Sequence, residues 1–241
     1  MSAALVVLVA LGAWELVCRL GGVDPLILPA PTEVAEALWV DRGLLGEDLL
    51  VTATEVFGGL VLAVAVGAGV AVAMHLSDAV RRALHPLVIG SQAIPVPVIA
   101  PLLIFVLGFG AAPKIIVVAL VCFFPLAIAL FDGLRAPDPD QRKLLRSLDA
   151  TRWQTLRILE VPSALPRAFT GLKVAASVSV IGAVFAEWIG SDNGLGHGLL
   201  IAGFQLQTAR AFAATALLFA LAIALYAACA AAERRALRWA Q

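Results

Sequence analysis

Few side chains in this sequence could do chemistry at depth in an apolar medium. Glu187, followed by Trp188, lies within an apolar run that starts near Leu172. Gln92 stands one turn before Pro95 in another run, and Asn193 sits in "GSDNGLGHG". Polar and ionisable groups at membrane depth are costly and mark paths, so Glu187, Trp188, Gln92 and Asn193 are the candidates for a translocation path or gate. For Glu187, pairing with a backbone or basic group to shape an outer gate is preferred over direct contact with a solute. Glu15 and Glu55 read as helix-end residues that snorkel, and Lys173 reads the same way near the opposite face.

Other chemistries lack their residues. His75, His85 and His197 are far apart and suggest no metal centre, and Cys18, Cys122 and Cys229 share no metal or disulfide spacing. No G-x-x-x-x-G-K-[ST] loop is present to hold ATP, and neither G-x-S-x-G nor H-E-x-x-H occurs, which argues against an intramembrane enzyme. "GSDNGLGHG" lacks the preceding strand and following Lys of a phosphate nest, so it reads as a tight, glycine-shaped outer gate.

A second set of polar residues is grouped in "RSLDATRWQTLRILEVPSALP", from Arg146 to Pro166. Lys143 to Leu148 has the spacing of a short amphipathic helix, broken at Asp149 and Ala150. Thr151 with Gln154 makes a capping box that starts a second helix, predicted to bury Trp153, Leu156 and Leu159 and to end before Pro162. Two short helices at a sharp angle, flanked by prolines, form an element that a partner could grip and push.

The elements that must position these groups are membrane helices. Hydrophobic residues make up 61% of the 241 and charged ones 14%, with mean hydropathy +0.97, more apolar surface than a soluble domain can hide. Six apolar blocks approach or exceed the roughly 18 to 20 residues needed to cross a bilayer: 2–18, 56–76, 86–110, 115–131, one from about 172, and 211–232. The first lacks a basic leader and a small-x-small site, so it is expected to stay as a helix. Prolines 86, 95, 97 and 101 predict a kinked third helix buried in a bundle. Gly58, Gly59, Gly67 and Gly69 let the second approach a neighbour closely. The 17 basic and 17 acidic residues cancel, which removes any global field for nucleic acid. Basic residues concentrate in 77–84, 135–167 and 233–241, whereas the first loop is acidic, so the positive-inside rule puts those three segments and both termini in the cytoplasm.

"KLLRSLDATRWQTLRILEVPSALP" resembles the cytoplasmic loop of ATP-binding-cassette importer permeases, whose pattern is Glu-Ala-Ala, three residues, Gly, nine residues, Ile-x-Leu-Pro. Here Lys143 stands at the Glu position, Leu144 and Leu145 at the two Ala, and Asp149 at the Gly. Leu159 and Val161 replace Ile and Leu, and Pro162 is identical. "ILPAPTEVAEAL", "IPVPVIAPLLIFVLGFG", "FFPLAIALFDGLRAPDPD", "PSALPRAFTGLKVA", "AEWIGSDNGLGHG" and "ERRALRW" resemble, in order and spacing, the nitrate, sulfonate, taurine and thiamine-precursor branch of that family. The likeness covers nearly the whole chain.

The resemblance implies an all-α integral membrane protein of the type I importer permease class. It would have about six transmembrane helices and a cytoplasmic coupling-helix loop between helices 4 and 5. Residues 1–51 would be the first helix and an acidic external loop, and 52–241 the permease core with coupling segment 135–166. Lys143, Arg146, Ser147, Leu148, Asp149, Ala150, Thr151, Arg152, Trp153, Gln154 and Pro162 would couple to an ATP-binding-cassette ATPase dimer. That dimer holds the ATP and Mg, and no cofactor binds this chain. The other implied partners are an extracytoplasmic solute-binding protein, a second copy of the chain and the bilayer of a bacterial cytoplasmic membrane. Asp149 at a glycine position would cost about 1 kcal/mol or force another turn, and is expected to bond nearby amides through its side chain. Lys143 predicts a compensating acidic residue on the ATPase. The Trp after Glu187 leans the substrate toward a thiamine-pyrimidine or riboflavin-like heterocycle, with nitrate, sulfonate or taurine as alternatives. An ion-coupled secondary transporter would require internal repeats or intramembrane charge pairs, which the sequence does not display.

Overall fold

A computed structural model describes residues 3–238 of the chain; the first two residues and Trp239 to Gln241, part of the basic carboxyl-terminal segment, lie outside the described residues. The described residues are helical, without a strand. In order they form α1 (Ala3–Leu20), α2 (Pro31–Val40), α3 (Arg42–Leu76), α4 (Asp78–Gly90), α5 (Val96–Leu107) and α6 (Ala111–Arg135). Then come α7 (Pro139–Ser147), α8 (Arg152–Thr155), α9 (Val161–Gly190), α10 (Leu195–Phe204) and α11 (Thr208–Ala236). Among the described residues, α3, α6, the continuous stretch Arg152–Gly190 and α11 are each long and apolar enough to cross a membrane, and α4 with α5 makes a fifth span if the bent pair is counted as one. Ahead of them, α1 is an apolar helix of 18 residues.

Three expectations are corrected. The acidic first loop is largely helical: Pro31 starts α2, Glu33 caps it by accepting from the Ala30 N–H at 2.8 Å, and α3 begins at Arg42, so the boundary at 51/52 falls inside a helix. The third block is broken instead of kinked. Ile94, ahead of Pro95, is driven to extended backbone (φ −88°, ψ 117°), and α4 and α5 meet at 104° across the 3₁₀ turn Ser91–Ala93. The helix begun at Thr151 does not end before Pro162. Pro162 has no N–H and its ring would clash with the Ile158 carbonyl of a regular helix. The chain widens into a π turn over Leu156–Glu160, Val161 N–H reaches back to Leu156 O, and the helix runs through to Gly190.

The core forms where small residues let helices touch. α6 and α9 make the most extensive pairing, followed by α3 with α6. A Cβ on Gly171 would stand 2.6 Å from Ala129 Cβ and 2.7 Å from Pro125 O, so that crossing admits no side chain. Gly58, Gly59 and Gly67 of α3 likewise face α6 across Ile115, Val118 and Ala127, as the glycine pattern predicts, whereas Gly69 faces open space. The principal apolar cluster, including Val56, Val118, Cys122, Ala176, Leu195 and Ala214, joins α3, α6, α9, α10 and α11. Lys173 does not snorkel: it bonds Glu233 at 2.7 Å and ties α9 to α11.

Candidate functional site

Two polar sites sit at opposite ends of α9. At its Gly190 end, Asp48, Thr52 and Glu55 follow one another at i, i+4 and i+7 on one face of α3 and are all buried. Facing them are Glu187, fully buried, and the first amides of α10. Thr52 Oγ1 donates to Glu187 Oε1 at 2.6 Å and accepts from Leu195 N at 2.9 Å. Glu187 Oε2 accepts from Gly196 N at 2.5 Å and His197 N at 3.4 Å, while Asp48 Oδ1 accepts from Gly194 N at 2.8 Å. The chain's own carboxylates thus occupy the positive end of α10, where a foreign anion could otherwise bind.

The glycines of "GLGHG" make this approach possible. Gly194 has φ +111°, and a Cβ there would lie 2.5 Å from Glu187 Cδ; one on Gly196 would lie 2.7 Å from Glu187 Oε2. A buried ion pair extends the cluster: Lys114 of α6 contacts Glu55 and donates to Ser191 Oγ at 2.8 Å, and Ser191 Oγ bonds the Asn193 carbonyl. Glu55 Oε2 is buried without a hydrogen-bond partner. Chemically the arrangement is a latch. It holds four helices and a loop by charge-assisted bonds that have no water to replace them, and it leaves no free face of Glu187 for a solute.

Glu187 therefore takes the gate-shaping role, and the other path candidates part from it. Trp188 points away, 41% exposed, edge-to-face with Phe185 at 5.3 Å. Asn193 is exposed and joins the latch through its backbone. Gln92 is exposed at the α4–α5 bend, away from the cluster. Glu55 is corrected from a snorkelling helix-end residue to a buried ion-pair partner, and Glu15 bonds Arg19 and, at 3.1 Å, Thr32 N. Glu55 with Lys114 is also an intramembrane charge pair, which the sequence reading did not find. The helical spacing of 48, 52 and 55 is a signal within one segment; the pairing with Lys114 joins two segments and leaves none.

At the other end of α9 lies the coupling segment. Asp138 caps α7 by accepting from Asp140 N at 2.8 Å, with Pro139 at the first helical position. α7 closes in a Schellman turn: Ala150 N bonds Leu145 O at 3.0 Å, Asp149 N bonds Arg146 O at 3.1 Å, and Asp149 takes φ +56°. Asp149 thus keeps the family's glycine geometry; the expected side-chain bond to nearby amides is not made, and its carboxylate has no hydrogen-bond partner among the described residues. Thr151 and Gln154 form the predicted capping box, Gln154 N to Thr151 Oγ1 at 3.3 Å and Thr151 N to Gln154 Oε1 at 2.8 Å. Leu156 is buried and Leu159 partly so, but Trp153 is 64% exposed, against the expectation of burial. It stands with exposed Leu144 and Leu148 on the outer face of the turn. Lys143 is exposed and bonds Asp140 at 2.7 Å; Arg146, Ser147, Arg152 and Gln154 are exposed, and Ala150 and Pro162 partly covered.

A bundle of membrane helices, latched at one end of a long helix and carrying a capped turn at its other end, defines a transport subunit driven from outside its own chain. The chain belongs to the family described as the binding-protein-dependent transport system inner membrane component, whose model matches residues 64–238. It is 36% identical to a probable ABC transporter permease protein of Haemophilus influenzae over 92% of this chain and 91% of that one. It is 34% identical to the formylaminopyrimidine transport permease protein ThiX of Halalkalibacterium halodurans over 76% of this chain and 74% of that one. The riboflavin transport system permease protein RibX of Chloroflexus aurantiacus is 32% identical over 94% and 85%. The chain is thus the multi-pass permease subunit of an ATP-driven importer, has the type I permease fold, and leaves ATP hydrolysis to a separate subunit.

Proposed function

We propose that this permease passes a thiamine-pyrimidine or riboflavin-like heterocycle. The observation that carries the reading is that relatives named for formylaminopyrimidine and for riboflavin align over most of both chains. The chain works as a pair of copies in a bacterial cytoplasmic membrane, with both termini and the 135–166 segment inside. An ATPase dimer, holding ATP and Mg, docks on the turn from Lys143 to Gln154, and a solute-binding protein delivers cargo outside. The continuity of α8, the π turn and α9 supports a lever. Glu160 and Glu187 are about 40 Å apart at 1.5 Å rise per residue, so a push on Arg152 to Thr155 acts on the helix that carries the latch. Opening would then require unpairing Glu187 from α10, with Glu187 shaping the gate and the binding protein choosing the solute.

The test is ligand identification on the binding protein encoded with this permease, followed by uptake into proteoliposomes holding permease, ATPase and binding protein. A heterocycle bound by that protein and taken up with ATP supports the reading. A sulfonate or nitrate ligand sinks the substrate assignment, and uptake without the ATPase sinks the importer.

A further inference from the structure

A cavity of about 430 Å³ opens beside the coupling turn, between the end of α3, α7, α8 and the π turn. Its floor is Glu160, buried, whose carboxylate bonds His75 Nε2 at 2.7 Å and Arg142 Nε at 2.9 Å. Arg142 also donates to Leu134 O at 3.0 Å. Arg146 and Arg152 line the same cavity, and among the described residues neither side chain makes a hydrogen bond or ion pair. Three guanidiniums thus face one carboxylate whose two oxygens are already engaged. Each guanidinium carries five donors in a planar fork that fits a carboxylate or phosphate.

What surrounds the cavity narrows the occupant. Leu144, Leu148 and Trp153 are exposed next to it, and an apolar patch with an aromatic centre and an arginine rim is the make-up of a protein interface. Exposed Asp138, Asp140 and Asp149 are interleaved with the arginines. An anionic lipid surface would be repelled by those carboxylates, whereas a folded partner can match the mixed charges one by one. We infer that the Arg142, Arg146 and Arg152 pocket receives an acidic side chain of the ATPase subunit, an assignment that rests on the ATPase-coupled reading above. The incoming carboxylate competes with Glu160 for Arg142. Docking is thereby felt at once by α3, through His75, and by α9, through Glu160.

The test uses the full chain in phosphatidylcholine nanodiscs and the ATPase encoded with it, with the dissociation constant measured across a salt series. Arg146→Gln with Arg152→Gln weakens association about tenfold at low salt and flattens its salt dependence, while thermal unfolding stays at the wild-type value because both side chains are exposed. Arg152→Glu weakens it further, and an acid-to-arginine change in the ATPase groove restores it. Unchanged affinity and salt slope in the double variant, with wild type still docking, overturn the pocket assignment alone. Failure of the wild-type chain to bind its ATPase overturns the coupled reading beneath it. If the double variant docks normally but loses binding to phosphatidylserine vesicles, the cavity is a lipid site and the inference fails.

Discussion

Glu187 and Asp149 are single residues that break a local rule, one a carboxylate buried at membrane depth and the other a branched side chain in a left-handed turn. The first is compensated and the second is not. Glu187→Ala would strand Gly196 N and Thr52 Oγ1 without an acceptor, at about 1 to 3 kcal/mol each, so the purified variant should unfold at markedly lower temperature and lose uptake. Cargo preference should not change in whatever uptake remains; an altered preference would make Glu187 a substrate contact after all. Asp149 has φ +56° with no side-chain bond in return, so Asp149→Gly should stabilise the chain by about 0.5 to 1 kcal/mol in thermal unfolding, and a destabilised variant would reveal a hidden role for the carboxylate. Glu187 was legible because a lone carboxylate in an apolar run is conspicuous. Glu55 was not, since its partner Lys114 belongs to another helix and nothing in one segment announces a contact with a second.

At the scale of elements, chemistry that is local in the chain could be read from it: the Thr151–Gln154 box and the glycines at the α3–α6 crossing stand where the sequence puts them. What could not be read depends on whether a helix survives its prolines. Pro95 ends α4 with a bend of 104°, yet Pro162 is absorbed by a π turn. The difference is set by what receives the displaced carbonyls, which is a matter of packing. The same packing predicts the effect of added bulk. Gly171→Leu would drive a side chain into Ala129 and the Pro125 carbonyl at the tightest part of the α6–α9 crossing. Several kcal/mol of overpacking should result, seen as loss of folded protein from detergent extracts. Gly69→Leu, which meets open space on the same kind of helix, should extract normally. Equal yields for the two would mean that α6 and α9 are not held at this distance.

For the whole molecule the question is how work enters at one end and leaves at the other. The buried pair Glu55–Lys114 and the Glu187 latch rigidify the Gly190 end of α9, and the Glu160–His75–Arg142 group rigidifies the end near the coupling turn. Between them α9 is packed along its length against α6, so it moves as a rod and not as a spring. A rod transmits only what its handle receives. Trp153 is the largest apolar side chain on that handle and makes no hydrogen bond within the chain. Trp153→Ala should therefore leave thermal unfolding unchanged while weakening ATPase association by about 2 kcal/mol, roughly 30-fold in the dissociation constant, the effect of deleting an interface anchor. Uptake in proteoliposomes should fall with ATPase occupancy and recover when the ATPase is raised in excess, because the latch and the path are untouched. Full uptake without recovered docking would mean that force enters elsewhere. Intact docking with lost uptake would make Trp153 part of the lever's stroke, with the grip supplied by the arginines around it.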